Sequence, residues 1–133
     1  MRKLLILITF VSSLILLPTT SYAKWNKVSE SVSGDSYYVD FKRVRKHKGL
    51  VYFWYLEDYL KPTKYGDLSG KFYTEADCVR FRQKWLATYY HTKPMGEGTP
   101  SSTNNNPAKE WSYPPPDSVM EGVLGAVCAY KKP

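Results

Sequence analysis

The chain has 133 residues, with 19 Lys and Arg against 12 Asp and Glu, for a formal charge of +7. Its hydrophobic fraction of 43% and aromatic fraction of 16% are too high for a disordered chain, while 23% charged residues suit an ordinary globular surface. These values exclude disordered and collagen-like proteins, and the length fits one domain whose small core would gain from a covalent staple.

Residues 1–23 read as a removable export signal. Met1, Arg2 and Lys3 form a positive start, Leu4 to Leu17 is apolar apart from Thr9, Ser12 and Ser13, and Pro18 ends the run. Ser21-Tyr22-Ala23 places small residues at the −3 and −1 positions of a cleavage site between Ala23 and Lys24. The apolar run is shorter than the roughly 20 residues needed to span a bilayer. No cysteine follows it, so the acceptor for a lipid anchor is missing. The expected product is one domain, 24–133, soluble and exported to the periplasm, the medium or the cell surface. Losing Arg2 and Lys3 leaves 17 basic residues against 12 acidic ones, a net charge of +5.

In an oxidising compartment Cys78 and Cys128, the two cysteines of the chain, imply one disulfide with one possible connectivity. A redox or metal role would call for a Cys-x-x-Cys or clustered histidines, and neither is present.

Along the domain, Trp25 to Ser31 and Ser36 to Val39 read as two short strands around the turn Ser33-Gly34-Asp35. Phe41 to Lys48 reads as a basic helical turn that tucks Phe41 and Val44 inward, and Gly49 ends it. Leu50 to Tyr59, dense in β-branched and aromatic residues on both alternating faces, reads as a central strand. Lys61 to Asp67 is a loop, and Lys71 to Thr74 is extended.

From Thr74 to Tyr90 two readings stay open. Phe81, Trp85 and Tyr89 recur every four residues, as on one helix face. A strand would instead place Arg80, Arg82 and Lys84 on one face, with Val79, Phe81, Trp85, Ala87 and Tyr89 on the other. Residues 92–116, rich in Pro, Gly, Ser and Asn, predict a long exposed flexible loop anchored to the core by Trp111. Ser118-Val119-Met120-Glu121 has the form of a capping box, opening a helix over about 118–129 with an apolar stripe of Val119, Met120, Val123, Leu124 and Val127.

Chemistry-bearing residues are few. His47 and His91 have no partner at metal-ligand spacing and read as solvated, and Glu57, Asp58, Glu75 and Asp77 read as turn and surface acids rather than a hydrolytic pair. No nucleophile elbow, phosphate loop or dinucleotide fingerprint occurs, so neither an enzyme nor a cofactor or metal is expected. Two basic groups remain as candidate contact sites for an acidic protein patch or anionic polymer. They are Lys42, Arg43, Arg45, Lys46 and Lys48, and the row Arg80, Arg82 and Lys84. Nucleic acid is a poor partner for an exported chain.

The order of residues carries a further signal. Trp25, Tyr37-Tyr38-Val39-Asp40, Val51-Tyr52-Phe53-Trp54, Asp58-Tyr59, Asp77-Cys78 and Arg80-Phe81-Arg82 are followed by Tyr90, Pro94-Met95-Gly96-Glu97-Gly98, Trp111, Pro115-Pro116-Asp117-Ser118 and Val127-Cys128. This pattern resembles the surface-adhesin protein E family of Gram-negative bacteria over nearly the whole domain. The resemblance implies an α+β fold: a single antiparallel sheet of about five to six strands packed against the C-terminal helix, with a disulfide joining the two cysteine positions. It also resolves Thr74 to Tyr90 toward extended structure. It implies a non-enzymatic binding protein, since the family's best-known adhesive member is a lipid-anchored surface protein that binds host matrix and plasma proteins and can dimerise. The expected partners are therefore a host matrix protein or an envelope component, with a homodimer as a further possibility. An alternative is a periplasmic envelope-maintenance protein that binds anionic glycan or lipid head groups through the basic patch.

Overall fold

The computed structural model describes residues 23–133, so the export signal apart from Ala23 lies outside the described residues. One antiparallel sheet and one helix make up the fold. The strands are β1 (Asn26–Glu30), β2 (Ser36–Val39), β3 (Arg45–His47), β4 (Leu50–Asp58), β5 (Ser69–Asp77), β6 (Arg82–His91) and β7 (Ser102–Asn104), followed by α1 (Val119–Ala129). Their order across the sheet is β1-β2-β4-β5-β6-β7, with β3 beside β4.

The chain reaches the seven strands by running along one edge of β4 twice. β2 pairs with Tyr55 to Asp58 and β3 pairs with Leu50 to Tyr52. The jog between them is a 3-10 turn, Phe41–Arg43, held by buried Asp40, whose carboxylate accepts the Lys42 backbone N–H at 3.2 Å and pairs with Arg43 Nε at 3.3 Å. Val44 is buried directly after it. The helical turn expected at Phe41 to Lys48 is thus only its first half. The second half is extended because its backbone completes the β4 edge, where exposed basic side chains cost nothing. β3 and β7 are each three exposed polar residues, so neither carries a hydrophobic alternation, and the sheet exceeds the expected five to six strands by these pieces.

β4 lies in the interior of the sheet, as its composition requires. Its alternate residues Val51, Phe53 and Tyr55 are buried and form the core with Val39, Phe72 and Ala76 beneath Val123, Leu124 and Val127 of α1. Burying each such side chain contributes roughly 1.5–3 kcal/mol. Ser118 caps the helix, accepting the Glu121 N–H at 3.1 Å, and Cys128 near its end joins Cys78 in the β5–β6 turn.

The Thr74 to Tyr90 segment is two strands joined by a tight turn. Asp77 closes it by accepting from the Arg80 N–H at 3.1 Å and from Arg82 Nε at 3.1 Å, and Phe81 turns through φ 52°. Arg80 therefore lies in the turn, outside the expected row. Register supplies a second correction: Tyr73 faces Ala87 while Thr74 faces Trp85, so Leu86 is an extra, bulged residue. The bulge moves Trp85 off the face shared by Ala87 and Tyr89. Trp85 Nε1 instead donates to the Tyr55 hydroxyl at 2.9 Å, on the helix side of the sheet.

The 92–116 segment is pinned along β6 rather than loose. Ser112 exchanges two backbone hydrogen bonds with Gln83, Ala108 N–H donates to the Trp85 carbonyl, and β7 pairs with Thr88 to Tyr90. A free strand edge satisfies these otherwise polar residues. Trp111 does not enter the core. It lies against Arg82 and Lys84, whose charged groups stand 4.3 and 4.5 Å from its ring centroid.

Candidate binding face

α1 covers one side of the sheet, and on the other side no described element covers the middle. Residues that alternate with the core point there: Tyr52 and Trp54 from β4, Lys71, Tyr73 and Glu75 from β5, and Lys84 and Tyr89 from β6. Four rings form a continuous row. Trp54 stacks on Tyr73 with centroids 5.0 Å apart, Tyr52 lies 6.4 Å from Tyr73, and Tyr89 lies 5.8 Å from Trp54. Cross-strand register produces this, since Trp54 and Tyr73 are directly paired.

Positive charge borders the row. Arg43, Arg45, Trp54 and Tyr73 line a hollow of about 260 Å3, and the adjoining hollow of about 370 Å3 adds Lys46, His47 and Tyr52. A larger recess of about 740 Å3 opens on the far side of Trp54, between Trp25, Arg43, Lys71 and Met95. Burial lowers the pKa of Lys71, and Arg43 beside it lowers it further. Burial raises the Tyr52 phenol, with Glu75 adding to the effect. Arg45, Lys46, Lys131 and Lys132 surround a further hollow of about 530 Å3 beside Val44 and Tyr130, where the chain end meets the core rather than the aromatic row.

The candidate residues thus divide. Arg43 and Arg45 reach the aromatic row, Lys46 flanks it, and Lys42 and Lys48 stay exposed at the turns on either side of β3. Arg82 and Lys84 are occupied with Trp111, and Arg82 also holds Asp77, whose carboxyl is kept low first by the Arg80 N–H and then by Arg82. They build the edge. The rings of the row belong to no motif, and the signal for them was the apolar content of both faces of Leu50 to Tyr59.

The acids do not form a catalytic pair. Glu57 is opposite Gly70 and Asp77 lies seven residues further along β5, which is roughly 20 Å at the rise of a strand. Asp58 accepts the Met95 N–H at 2.7 Å and is structural. Glu57 departs from the surface role expected of it: it is half-buried on the helix side, accepts from the Tyr59 hydroxyl at 2.9 Å, and burial pushes its pKa up to about 7. Burial likewise pushes Tyr37 up to about 12.

His91 departs too. It is fully buried, with Nδ1 3.1 Å from the Glu97 carbonyl oxygen, and burial lowers its pKa. The cause is the 3-10 turn Pro94–Gly96, which folds back over the strand ends, where Ser69 Oγ donates to the Lys93 carbonyl at 2.6 Å and accepts from the Gly96 N–H at 2.8 Å. Gly96 has φ +66°, and a Cβ there would stand 2.9 Å from the Lys71 side chain, so the close approach needs glycine.

Comparison with known proteins agrees with this fold. Two crystal structures of Haemophilus influenzae protein E are similar over 84% of this chain at 17% identity. One, a second crystal form, has a TM-score of 0.55 with 92% of that chain covered, and the other, from a non-typeable strain, has 0.57 with 80% covered. No curated protein matches the chain. A family model described as surface-adhesin protein E matches residues 25–129, the whole span from Trp25 to the end of α1. The chain belongs to the surface-adhesin protein E family.

Proposed function

We propose that the chain acts as an exported, non-enzymatic adhesin that docks a host matrix protein on the open side of its sheet. The observation that carries this reading is the row Tyr52, Tyr73, Trp54 and Tyr89 left without a covering element, bordered by Arg43 and Arg45. Aromatic and arginine side chains held on a rigid sheet supply contact area at small entropic cost, the composition typical of interface hot spots. Family membership supports adhesion, and no helix among the described residues is long and apolar enough to cross a membrane. Cleavage after Ala23 would leave Lys24 as the first residue of a soluble exported domain.

Immobilised residues 24–133 retain at least one soluble matrix protein from a defined panel, and Trp54→Ala lowers that affinity at least tenfold, about 1.4 kcal/mol or more. Arg43→Glu also weakens it and reduces its salt dependence. Absence of retention across the panel contradicts the reading, as does retention that Trp54→Ala leaves unchanged.

A further inference from the structure

On the helix side of the sheet, where α1 does not reach, the β4–β5 loop, the end of β6 and the start of β7 line an open-mouthed cavity of about 590 Å3. Tyr59, Tyr65 and Tyr90 wall it, Asp67, Thr63 and Ser101 supply polar atoms, and Lys64 lines its rim. This is the size range of small-molecule and side-chain pockets. The loop is firmly built, since the Thr63 and Asp67 backbones are hydrogen-bonded to each other and the Asp67 N–H also reaches Thr63 Oγ1. Gly70 makes room for Tyr59, because a Cβ there would stand 3.1 Å from the tyrosine hydroxyl.

One carboxylate lines this cavity, and it has no cation partner. Asp67 is only 6% exposed, and its Oδ1 accepts from Ser101 Oγ at 2.6 Å. Glu57 stands one hydrogen bond behind the wall, through the Tyr59 hydroxyl. Burial raises the Tyr90 phenol, followed by Glu57 and Asp67, so both acids act on that ring. Among the described residues, every ion pair involves other acids: Glu30, Asp40 and Asp77. What sets Asp67 apart from the other unpaired acids is its burial beside three tyrosine rings.

Tyrosine faces attract cations, and a desolvated carboxylate attracts them more. The wall already shows this preference at its rim, where Lys64 Nζ stands 4.9 Å from the Tyr65 ring centroid. We propose that the cavity is a cation site that receives the ammonium or guanidinium end of a lysine or arginine side chain from a partner protein. The rings take the methylene stem, and Asp67 faces the charge. This site is independent of the open face and opposite to it in sign.

Titration of the isotope-labelled 24–133 domain with Nα-acetyl-lysine amide tests it by NMR. Saturable shifts confined to Tyr59, Tyr65, Asp67, Tyr90 and their neighbours are expected, and Asp67→Asn weakens binding at least fivefold. Tyr65→Ala, at a position 77% exposed and so dispensable for folding, weakens it as well. Nα-acetyl-norleucine amide, which has the stem without the charge, leaves the signals in place. Equal shifts with the norleucine compound, or none with the lysine compound at tens of millimolar, overturn the proposal. Tighter binding of putrescine than of the lysine compound assigns the cavity to small free amines and overturns the side-chain assignment. Shifts produced by N-acetylglucosamine alone assign it to sugars and do the same.

Discussion

The two sides of the sheet are built from alternate residues of the same strands, yet they do opposite work. Val51, Phe53 and Tyr55 meet α1 and disappear into the core, while Tyr52 and Trp54, one position away on β4, meet no covering element. Aromatic content does not distinguish them. Cover and charge do: one side is sealed by Val123, Leu124 and Val127, and the other is bordered by Arg43, Arg45 and Lys71. The rings of the row are half-buried against one another and no described element covers them, so their outer faces remain open to a partner.

The largest effects are expected on the sealed side. Replacing Cys78 and Cys128 with serine removes a cross-link closing a span of 50 residues, and a loss of roughly 4 kcal/mol in unfolding free energy is expected by denaturant titration. Leu124→Ala leaves a hole at a fully buried site and costs about 3 kcal/mol by the same measurement, without changing affinity per folded molecule.

Glu57 makes stability depend on pH. Its folded pKa, about 7, is raised above the ordinary carboxyl value, so the folded state holds the proton more tightly than the unfolded chain does. Stability from this group is present below the unfolded pKa of about 4.3 and is lost as pH rises toward 7. Glu57→Gln removes that slope and stabilises the protein at pH 8 by on the order of 2 kcal/mol, read from melting curves at pH 5 and pH 8. The smallest effect is at the helix start, where Ser118→Ala costs about 1 kcal/mol.

Much of the sealed side was legible in the sequence. The helix stripe, the capping serine, the cysteine pair and the interior strand each rest on a local pattern that tertiary contacts reinforce. The open side was legible only in part. Its basic residues stand together in the sequence, but the ring row depends on Trp54 meeting Tyr73 across the β4–β5 register, a non-local fact. The Leu86 bulge reversed the face of Trp85, and strand alternation offers no warning of an inserted residue. His91 and Glu57 look solvated in the sequence because the turn and rings that bury them come from distant segments.

Partners are expected to engage the open side. Hydroxyl-radical footprinting of residues 24–133 with and without a retained matrix protein tests it, because each side carries an accessible tryptophan. Trp54 lies in the open row, and Trp85, 45% exposed, lies on the helix side. A partner on the open side protects Trp54 and Tyr73 from oxidation while Trp85 reacts at its original rate. Protection of Trp85 with Trp54 unchanged would contradict it.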